Sequence, residues 1–598
     1  MITKTKFKEY SRCRRYFALE KLNEEGENAI VAAHDDEIRD ILETIDGFDG
    51  SLDLTSAELE ALLPYFNRLE KVSANVIEKH FEGEVFFSLE TEKQKSFECI
   101  GNDYSYKCFV DCYLERKDSF SIFEVKATTT KKFVDLKYTE NKEAFHIFEK
   151  VGNTYILKEE LGEKISKKYL NQRRKLFDRY SSVGKYVYDL AIQRWIIENN
   201  YIQNQMESKL RNAKYYLAVL NSEYIFDGNL VNDKYPEING QEIVTFIDLT
   251  NITNEYLNKI KSDVKSVEEY LDYREAPEIP VGQFCQRNKK DQCKYFDICW
   301  KFVPNRNSIF TYIDNHHGFT DQNDEKHYPL ELINEGKVGM FDIPFNWLTR
   351  EKNKIQYEVH SKDNVFIDES KVRSGLQALD FPIYHLDFES FPCPLPRFKG
   401  EKPYSQSVFQ YSLHIQRTYN DTDIDENHYE FLAKDGNDNR YELVKSLIDN
   451  IGKFGPIIVW NESFELARIR EFKEFFPEFE NELTNIEKRI FDLMYVLKSN
   501  TKMYEAMGYS NERAKLMNYY HSDLQGSYSI KKVLPIFSDL NYDDMDVGNG
   551  MEAVVAYIMM TKLTGDEYYK KYSSLLEYCK QDTYAMLKIL NEVKKMVD

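Results

Sequence analysis

The stretch FPIYHLDFESF (residues 381–391) decides the fold of the C-terminal half of this chain. Its apolar run is typical of a buried strand, and alternate residues of a strand point to the same face. Asp387 and Glu389 are two apart, so they are predicted to share one face. Two like charges on a buried strand repel one another unless a cation lies between them. The pair is therefore either a solvated strand end or part of a metal site, and other residues are needed to distinguish the two.

The C-terminal region, residues 376–598, follows an α/β pattern around this strand. Strands are predicted at 403–416, 428–433 and 456–460, and amphipathic helices at 440–454 and 574–595. Asn461 and Glu465 are four apart at the junction between the third of these strands and the next helix. Tyr578 and Asp582 are four apart in the last helix, and this spacing places both side chains on one helix face.

These four positions, together with Asp387 and Glu389, resemble the motifs of the DnaQ-like, DEDD-type 3′→5′ exonucleases. The resemblance implies an RNase H-like fold, and the tyrosine selects the DEDDy subtype. Glu465 stands where these enzymes usually carry Asp, and Asp492 is an alternative contributor that suits a structural role better.

The resemblance also implies two Mg²⁺ or Mn²⁺ ions that hold the scissile phosphate. Asp387 would bridge both ions, and Glu389 and Asp582 would complete the shell of one of them. Glu465 would hold the second ion, and Tyr578 would orient the attacking water.

The N-terminal half contains a predicted hairpin, with strands at 108–115 and 120–127. Asp111 lies on the first strand, and Glu124 and Lys126 lie two apart on one face of the second. Two carboxylates can hold Mg²⁺, and a lysine can stabilise the negative charge of a phosphoryl transition state. Surface hairpins also carry such residues by chance, so the pattern alone leaves both interpretations open.

Four cysteines are divided between the two ends of this half: Cys13 near the start, and Cys285, Cys293 and Cys299 in FCQRNKKDQCKYFDICW (284–300). Four thiolates suit a [4Fe–4S] cluster or Zn²⁺, whereas the alternative is free buried cysteines. Five further cysteines lie in strand or helix patterns and are predicted to be core residues: Cys99, Cys108, Cys112, Cys393 and Cys579.

The hairpin resembles the PD-(D/E)XK nucleases, and the helix at 186–197 carries Gln193, where RecB-like members have a glutamine motif. Ile197 stands where an aromatic residue is usual. With the cysteines, the set resembles the iron–sulfur RecB-like nucleases associated with CRISPR adaptation and helicase–nucleases. The resemblance implies a restriction-endonuclease-like domain over residues 1–302, whose cluster joins the domain's ends and takes no part in the chemistry. Three residues of a helix predicted within 35–80 are candidates for the upstream metal ligand: Glu70, Glu78 and His80.

A helical connector is predicted at 303–375, between the two domains. The whole arrangement resembles the bacterial family called domain of unknown function 2779, and the resemblance covers nearly the whole chain. It rests on HLDFES and NESFE together with four further motifs: PLPRFKGEKPY (394–404), FQYSLH (409–414), GSYSIKKVLP (526–535) and EYCKQDT (577–583).

Composition limits the classes of protein that fit. The chain has 598 residues, of which 42% are hydrophobic, and a net charge of −21, which argues against a passive nucleic-acid coat protein. It does not exclude a nuclease, since an acidic metal site can lie beside basic patches such as 164–179, 126–133 and 529–532. No apolar run is long enough to span a membrane, and the N-terminus lacks the apolar core of a signal peptide. We therefore expect a cytoplasmic protein whose cysteines are thiols or metal ligands rather than disulfides.

The leading hypothesis is a metal-dependent 3′→5′ exonuclease fused to a RecB-like domain that cuts or binds DNA. DNA is favoured over RNA because RecB-like domains mostly handle DNA, and repair or anti-phage defence follows only by analogy. One alternative makes the N-terminal half a non-catalytic nucleic-acid clamp. Another makes the whole chain a binding scaffold with degenerate sites. The oligomeric state does not follow from the sequence.

Overall fold

A computed structural model of the chain describes residues 1–23, 56–90, 93–273, 275–287, 291–377 and 379–598. These residues form two compact units. The first contains the described residues up to Phe296 together with Pro392–Ser405, and the second contains Asp297–Phe391 and Gln406–Asp598. Both units combine helices with sheets, which confirms the predicted α/β class. None of the helices in the described ranges has the length and apolar character needed to cross a membrane.

The first unit is built on a seven-stranded sheet. Its strands in chain order are β1 (Glu84–Phe87), β2 (Cys112–Glu115), β3 (Phe120–Thr129), β4 (Phe148–Val151), β5 (Thr154–Leu157), β6 (Lys214–Leu220) and β7 (Val244–Asp248). They are arranged as β1-β2-β3-β6-β7-β5-β4. The predicted hairpin is present in part, as the antiparallel pair β2 and β3. The prediction of one strand over 108–115 is wrong, because the chain bends at Asp111, which lies between the strand Ser105–Val110 of another sheet and β2. Strand β6 runs parallel to β3 with Leu217 opposite Glu124.

Four helices of this unit matter for the site: α1 (Lys4–Tyr10), α2 (Ser56–His80), α3 (Gly184–Gln203) and α4 (Thr250–Leu271). Helix α3 is buried almost without interruption from Tyr186 to Ile197, so it holds Asp189 and Gln193 inside the unit. Of the helix predicted within 35–80, the part from Ser56 to His80 is helical, and residues 35–55 lie outside the described ranges.

Smaller elements complete the first unit. Strands Ile2–Thr3, Lys95–Ile100 and Ser105–Val110 form a three-stranded sheet, and two-stranded ribbons pair Lys137–Glu140 with Glu143–His146 and Gln286–Arg287 with Asp291–Gln292. The short helices are Tyr16–Leu22, Lys131–Val134 and Lys167–Arg173. A fourth short helix, Phe296–Trp300, begins at the last residue of this unit.

The segment Pro392–Ser405 belongs to the first unit although the strand before it belongs to the second. Tyr404 donates a hydrogen bond to the carbonyl of Ala127, the residue that follows Lys126 on β3. Tyr235 donates a hydrogen bond of 2.8 Å to the carbonyl of Pro396. Since this segment contains PLPRFKGEKPY, that motif is part of the packing around β3.

The second unit is built on a five-stranded sheet. Its strands in chain order are β8 (Ile383–Pro392), β9 (Gln406–Gln416), β10 (His428–Leu432), β11 (Ile457–Val459) and β12 (Ile490–Asp492). They are arranged as β10-β9-β8-β11-β12, with β9 and β10 antiparallel and with β11 parallel to both β8 and β12. The strands predicted at 381–391, 403–416, 428–433 and 456–460 are all present.

One face of this sheet forms the main core. Leu386 and Phe388 of β8 pack there with Tyr411 and Leu413 of β9 and with the helix Arg440–Asn450. Three helices carry the remaining site residues: α5 (Glu462–Phe475), α6 (Ile530–Phe537) and α7 (Gly565–Lys595). Alternation along β8 therefore leaves Asp387 and Glu389 on the face opposite this core.

The other helices of the second unit are Pro329–Asn334, Glu351–Lys362, Glu369–Leu376, Glu480–Glu487, Met494–Lys498, Thr501–Ala506, Asn511–Ala514 and Gly550–Met560. Two-stranded ribbons pair Phe319–Thr320 with Lys326–His327 and Phe366–Ile367 with Tyr519–Tyr520. The first two of these helices lie in the region 303–375 that was predicted to be a helical connector, and the third ends one residue beyond it.

Candidate functional site

Strand β8 carries Asp387 and Glu389 on one face, with the core residue Phe388 between them on the other. Glu389 is buried, with 8% of its surface exposed, and Asp387 is half-buried. This is the arrangement that the alternation of FPIYHLDFESF predicted.

Helix α7 brings Tyr578, Cys579 and Asp582 to the same face of the sheet. Burial raises the pKa of Cys579 well above its usual value, and the charges of Asp387, Glu389 and Asp582 raise it further. Burial also raises the pKa of Tyr578, and Asp582, Glu389 and Asp387 again add to the shift. Charges act on a buried group mainly from nearby, and the sulfur of Cys579 lies 3.6 Å from Oδ2 of Asp387. The residues of the first and last motifs therefore lie together.

A group of three potential metal ligands lies within this cluster. The ligand atoms of Asp387, Glu389 and Cys579 are within 4.8 Å of one another. Among the described residues one other such group occurs, Asp321, Glu325 and His327, in a partly exposed hairpin. The buried group offers two carboxylates on one face and so fits a divalent cation. Glu465 and Asp582 are outside this group of three.

Two residues beyond the predicted site residues act on the acidic cluster, one through a hydrogen bond and one through its charge. Tyr542 donates a hydrogen bond of 2.6 Å to Oδ1 of Asp582. Burial raises the pKa of Asp582 to about 6, while the hydrogen bond from Tyr542 and the charge of Lys531 act to lower it. Nζ of Lys531, on α6, lies 5.8 Å from the centre of the Tyr542 ring. The site therefore contains one cation beside its acidic side chains.

Helix α7 is held to the sheet by polar side chains. Four residues that alternate along β9 each contact α7 through a hydrogen bond: Gln410, Ser412, His414 and Gln416. The Thr583 hydroxyl lies 2.7 Å from Oγ of Ser412 and 2.8 Å from Nδ1 of His414. Gln410 donates to the carbonyl of Leu575, and Gln416 donates to Asn591. Because Tyr578 and Asp582 lie between Leu575 and Thr583, these bonds set their position along β9.

Glu465 lies in the first turn of α5 and is 2% exposed, so a buried acid is present where the second motif predicts one. Its role as ligand of a second ion stays a prediction. Asp492 accepts backbone hydrogen bonds from Asn461 (3.2 Å) and Met494 (2.9 Å), and burial raises its pKa to about 6. Asp492 therefore fixes the chain at the start of α5, which agrees with the structural role favoured for it above.

In the first unit, Glu124 lies at the centre of a network of charges and is 1% exposed. Oε1 of Glu124 is 2.5 Å from Nζ of Lys4 and 2.9 Å from Nζ of Lys126. Asp189 lies 3.5 Å and 3.2 Å from the same two ammonium groups. Burial acts to raise the pKa of Asp189, but Lys4 and Lys126 outweigh it and lower this pKa far below its usual range. Two lysines thus balance two buried carboxylates.

The other residues predicted for this site surround Glu124. Gln193 donates a hydrogen bond of 2.7 Å to Oε2 of Glu124 and one of 3.0 Å to the carbonyl of Phe109. Asp111 accepts a hydrogen bond of 2.8 Å from the backbone of Val125. All four predicted residues are therefore brought together, although among the described residues no group of three metal ligands forms here.

The three candidates for an upstream metal ligand, Glu70, Glu78 and His80, differ in the groups that lie near them. Nε2 of His80 lies 3.0 Å from Oε1 of Glu242. Burial raises the pKa of Cys112, the residue after Asp111, and the charges of both Glu70 and Glu78 contribute to the shift. Of the three, the two glutamates are thus placed within electrostatic range of the hairpin.

All nine cysteines are thiols in the structure. Burial raises the pKa of Cys13 to about 11, and the thiols of Cys293 and Cys285 add to the shift. The backbone N–H of Cys293 donates a hydrogen bond of 2.8 Å to the carbonyl of Cys285. Cys299 lies on the short helix Phe296–Trp300. Cys13 therefore lies within electrostatic range of Cys285 and Cys293, although among the described residues these sulfurs do not form a group of three within 4.8 Å of one another. Their role as ligands of an iron–sulfur cluster or zinc stays a prediction.

Sequence reasoning missed four residues at these sites: Tyr542, Cys579, Lys4 and Asp189. Cys579 is buried as predicted, but the assignment to the general core was incomplete, because its sulfur lies 3.6 Å from Oδ2 of Asp387. Asp189 precedes Gln193 by four residues on a predicted helix, and this spacing is a signal that identifies it. Lys4 and Tyr542 reach the sites through long-range contacts that leave no local pattern.

Comparison with known proteins agrees with the family resemblance. Residues 384–529 match the family described as "Domain of unknown function (DUF2779)", which is the family that the sequence motifs resemble. An uncharacterized protein of Ureaplasma parvum, UU173, is 25% identical over 327 residues, which cover 50% of this chain and 45% of that protein. The match thus spans less than half the length of that curated relative. No solved structure matches the chain.

Proposed function

We propose that this chain, whose residues 384–529 match the DUF2779 family, is a metal-dependent 3′→5′ exonuclease whose site lies between β8 and α7. The observation that carries the proposal is the convergence of Asp387 and Glu389 with Tyr578 and Asp582 on one face of the sheet. The strand order β10-β9-β8-β11-β12, with the first acidic motif on the central strand, supports an RNase H-like domain. The family match ends at residue 529, so the last motif rests on the geometry alone.

The carboxylates of Asp387, Glu389 and Asp582 would hold Mg²⁺ or Mn²⁺, which when bound would activate a water for attack and neutralise charge on the scissile phosphate. Tyr578 then has a restricted role. Because burial and nearby acids raise its pKa well above the usual value, its phenol keeps its proton at neutral pH. Tyr578 therefore orients the attacking water through a hydrogen bond and does not remove its proton.

Lys531 is the residue that we assign to the substrate phosphate. It is the cation whose charge acts on Asp582, and it lies on α6 beside Tyr542. A buried acidic site repels a polyanion, so a cation at its edge helps to bring the phosphodiester to the carboxylates. The phosphate is common to DNA and RNA, and DNA is the favoured substrate because of the RecB-like resemblance of the first unit.

The first unit has two candidate roles, a PD-(D/E)XK nuclease or a non-catalytic clamp for nucleic acid. The contacts of Glu124 favour the clamp. Its Oε1 is engaged by Lys4 and Lys126, and its Oε2 accepts from Gln193, so a cation would have to displace these partners. Cys13, Cys285, Cys293 and Cys299 would hold a [4Fe–4S] cluster or Zn²⁺ as a structural group in either case.

Degradation of end-labelled oligonucleotides tests the proposal. With Mn²⁺ or Mg²⁺, the wild type should shorten a 5′-labelled single strand stepwise from its 3′ end, and a 3′-blocked strand should resist. Asp387→Asn should lose this trimming. Asp380→Asn, a change at an exposed carboxylate just before the same strand, should keep it. Trimming by Asp387→Asn at the wild-type rate would contradict the proposal.

The role of the first unit needs a second pair of proteins. If the unit is a clamp, neither the wild type nor the double variant Glu124→Gln/Lys126→Met cuts circular single-stranded DNA. If the unit is a nuclease, the wild type linearises the circle and the double variant does not. Circular DNA has no 3′ end, so the site at Asp387 does not contribute to this result.

A further inference from the structure

Cys579 occupies a place in the acidic site that the exonuclease chemistry does not require. Its sulfur lies 3.6 Å from Oδ2 of Asp387 and 4.0 Å from the carbonyl oxygen of the same residue. The side chain is 0% exposed. It stands on α7 between Tyr578 and Asp582, so the helix directs it to the same face of the sheet as the carboxylates.

The donor set around Cys579 is mixed. Its sulfur and one oxygen each of Asp387 and Glu389 all lie within 4.8 Å of one another, a separation that one ion can bridge. Magnesium takes oxygen ligands almost without exception, and manganese also prefers them. A thiolate with two further protein ligands and an open position is instead an arrangement that suits zinc and other thiophilic cations.

We propose that Cys579 makes this site a target for thiophilic divalent cations, which bind through its sulfur together with Asp387 and Glu389 and thereby switch the nuclease off. On binding, the sulfur–metal bond replaces the S–H bond, and the thiol proton passes to the buffer. The two carboxylates that the cation takes are those needed for Mg²⁺ or Mn²⁺. The inhibitory step rests on the proposed function, whereas the binding step does not.

Two features of the surroundings favour a cation of this kind. The site is closed by α7, which the polar contacts of Gln410 and Thr583 hold against β9, so the sulfur and the carboxylates are kept close together before any ion arrives. A ligand set that is already assembled binds a cation without the cost of ordering its side chains. The sulfur is also buried, so large oxidants in the solvent have little access to it, whereas a small cation can enter where Asp387 is half-buried.

Cobalt or cadmium binding tests the first step without any substrate. Thiolate ligands give charge-transfer absorption with both ions, and the intensity counts the bonds to sulfur. Metal-free wild type, Cys579→Ser, Asp387→Asn and Cys99→Ser are each titrated with Cd²⁺. Cys99 is a buried thiol on a strand of the first unit and serves as the matched control.

All four proteins have the same background of cadmium absorption from the other cysteines, which include Cys13, Cys285, Cys293 and Cys299. The result is therefore the difference in absorption between each variant and the wild type. We expect Cys579→Ser to lose one equivalent of thiolate-bound cadmium and Cys99→Ser to match the wild type. We expect Asp387→Asn to bind that equivalent at least about tenfold more weakly, since it keeps the sulfur but loses a carboxylate. Equal spectra for wild type and Cys579→Ser would overturn the proposal.

Inhibition by Zn²⁺ tests the second step. With Mn²⁺ held constant, zinc should inhibit trimming by the wild type, and Cys579→Ser should need at least about tenfold more zinc for half-inhibition. Equal zinc sensitivity, despite different cadmium spectra, would overturn the inhibitory step. If the wild type shows no trimming under any condition while the spectra differ as expected, the proposed function fails and the metal site stands.

Discussion

The phenol of Tyr542 donates a hydrogen bond of 2.6 Å to Oδ1 of Asp582, and so a residue of the loop after α6 supports an acid of α7. A hydrogen bond to a carboxylate stabilises its charged form. Burial raises the pKa of Asp582 to about 6, and this bond is the first of the contacts that oppose the rise. Tyr542 thus helps to keep Asp582 ionised, which is the state that can hold a cation.

Removing this phenol is expected to shift the pH dependence of activity. Tyr542→Phe loses the bond to the ionised form, so the pKa of Asp582 should rise by about one unit, equivalent to ~1.4 kcal/mol. The acid limb of kcat/KM against pH should move upward by the same amount, because this limb reports groups of the free enzyme. Tyr569→Phe, at an exposed tyrosine of α7, should leave the profile unchanged. An unmoved acid limb in Tyr542→Phe would show that Asp582 does not control it.

The raised pKa of Asp582 also predicts an effect on stability. Its ordinary value of 3.8 is raised to about 6 in the fold, so folding disfavours the ionised form. This group's contribution to the free energy of unfolding is therefore greatest below pH 3.8 and falls as the pH rises toward 6. Asp582→Asn should stabilise the metal-free protein at pH 7 by on the order of 2 kcal/mol.

Urea denaturation in the presence of a chelator measures this difference. Saturating Mn²⁺ should reduce or reverse it, since the cation stabilises the wild type through the carboxylate that the variant lacks. Asp566→Asn, an exposed acid near the start of the same helix, should stay within ~0.5 kcal/mol of the wild type. A metal-free Asp582→Asn protein that is less stable than the wild type would contradict the assignment of a strained buried charge.

Thr583 should be important for both stability and activity, because its hydroxyl contacts Ser412 and His414 at the centre of the contacts between β9 and α7. Thr583→Val keeps the shape but leaves two buried polar groups without this partner, at a cost of about 1–3 kcal/mol. It should also lower kcat by loosening the helix that carries Tyr578. Thr583→Ser restores the hydroxyl and should recover most of both losses. Thermal denaturation and trimming assays on the two variants make the comparison.

Lys531 is expected to act on the substrate. Lys531→Met removes the cation beside the acidic cluster, so we expect kcat/KM to fall about tenfold or more. Lys532→Met is the matched control, because the neighbouring lysine is exposed and should have little effect. The loss should be smaller at high ionic strength if Lys531 acts by attracting the phosphate. A loss as large for Lys532→Met would indicate a general effect of charge.

Lys4 should be a determinant of stability in the first unit. Burial acts to lower the pKa of Lys4, but Asp189 and Glu124 outweigh it and raise this pKa above its usual value, so Lys4 stays charged. Lys4→Met leaves Lys126 as the one lysine of the two that balance the buried carboxylates of Glu124 and Asp189. This loss should lower the free energy of unfolding by about 2–4 kcal/mol. Lys71→Met removes an exposed ion pair with Asp233 and should cost less than ~0.5 kcal/mol. Equal costs in urea denaturation would show that the buried network contributes nothing beyond a surface pair.

Local sequence patterns were sufficient to predict the strand and the helix that carry the site of the second unit. Alternation placed Asp387 and Glu389 together on β8, and the spacing of Tyr578 and Asp582 placed them on one face of α7. These relations hold within one strand or one helix, where the geometry is regular. The order of the motifs also predicted that this strand and this helix lie together, and the structure places them side by side.

Relations that depend on long-range packing did not follow from the sequence. Tyr542 lies in a loop and reaches Asp582 across forty positions of the chain, and Lys4 reaches Glu124 across 120. Cys579 was assigned to the core because a buried thiol in a helical pattern is usually structural. Its distance from Asp387 depends on how α7 lies over the sheet, which the polar side chains of β9 determine.

The segment Pro392–Ser405 has a consequence for how such a protein can be divided or inherited. A chain that stops after Phe296 lacks this segment of the first unit, and a chain that stops after Ser405 lacks most of the second unit while including part of it. No single break point along the gene therefore separates the two units without dividing one of them. Fusion and loss of whole domains by recombination, which act at single boundaries, would be selected against, and the two units are expected to be exchanged and to evolve as one.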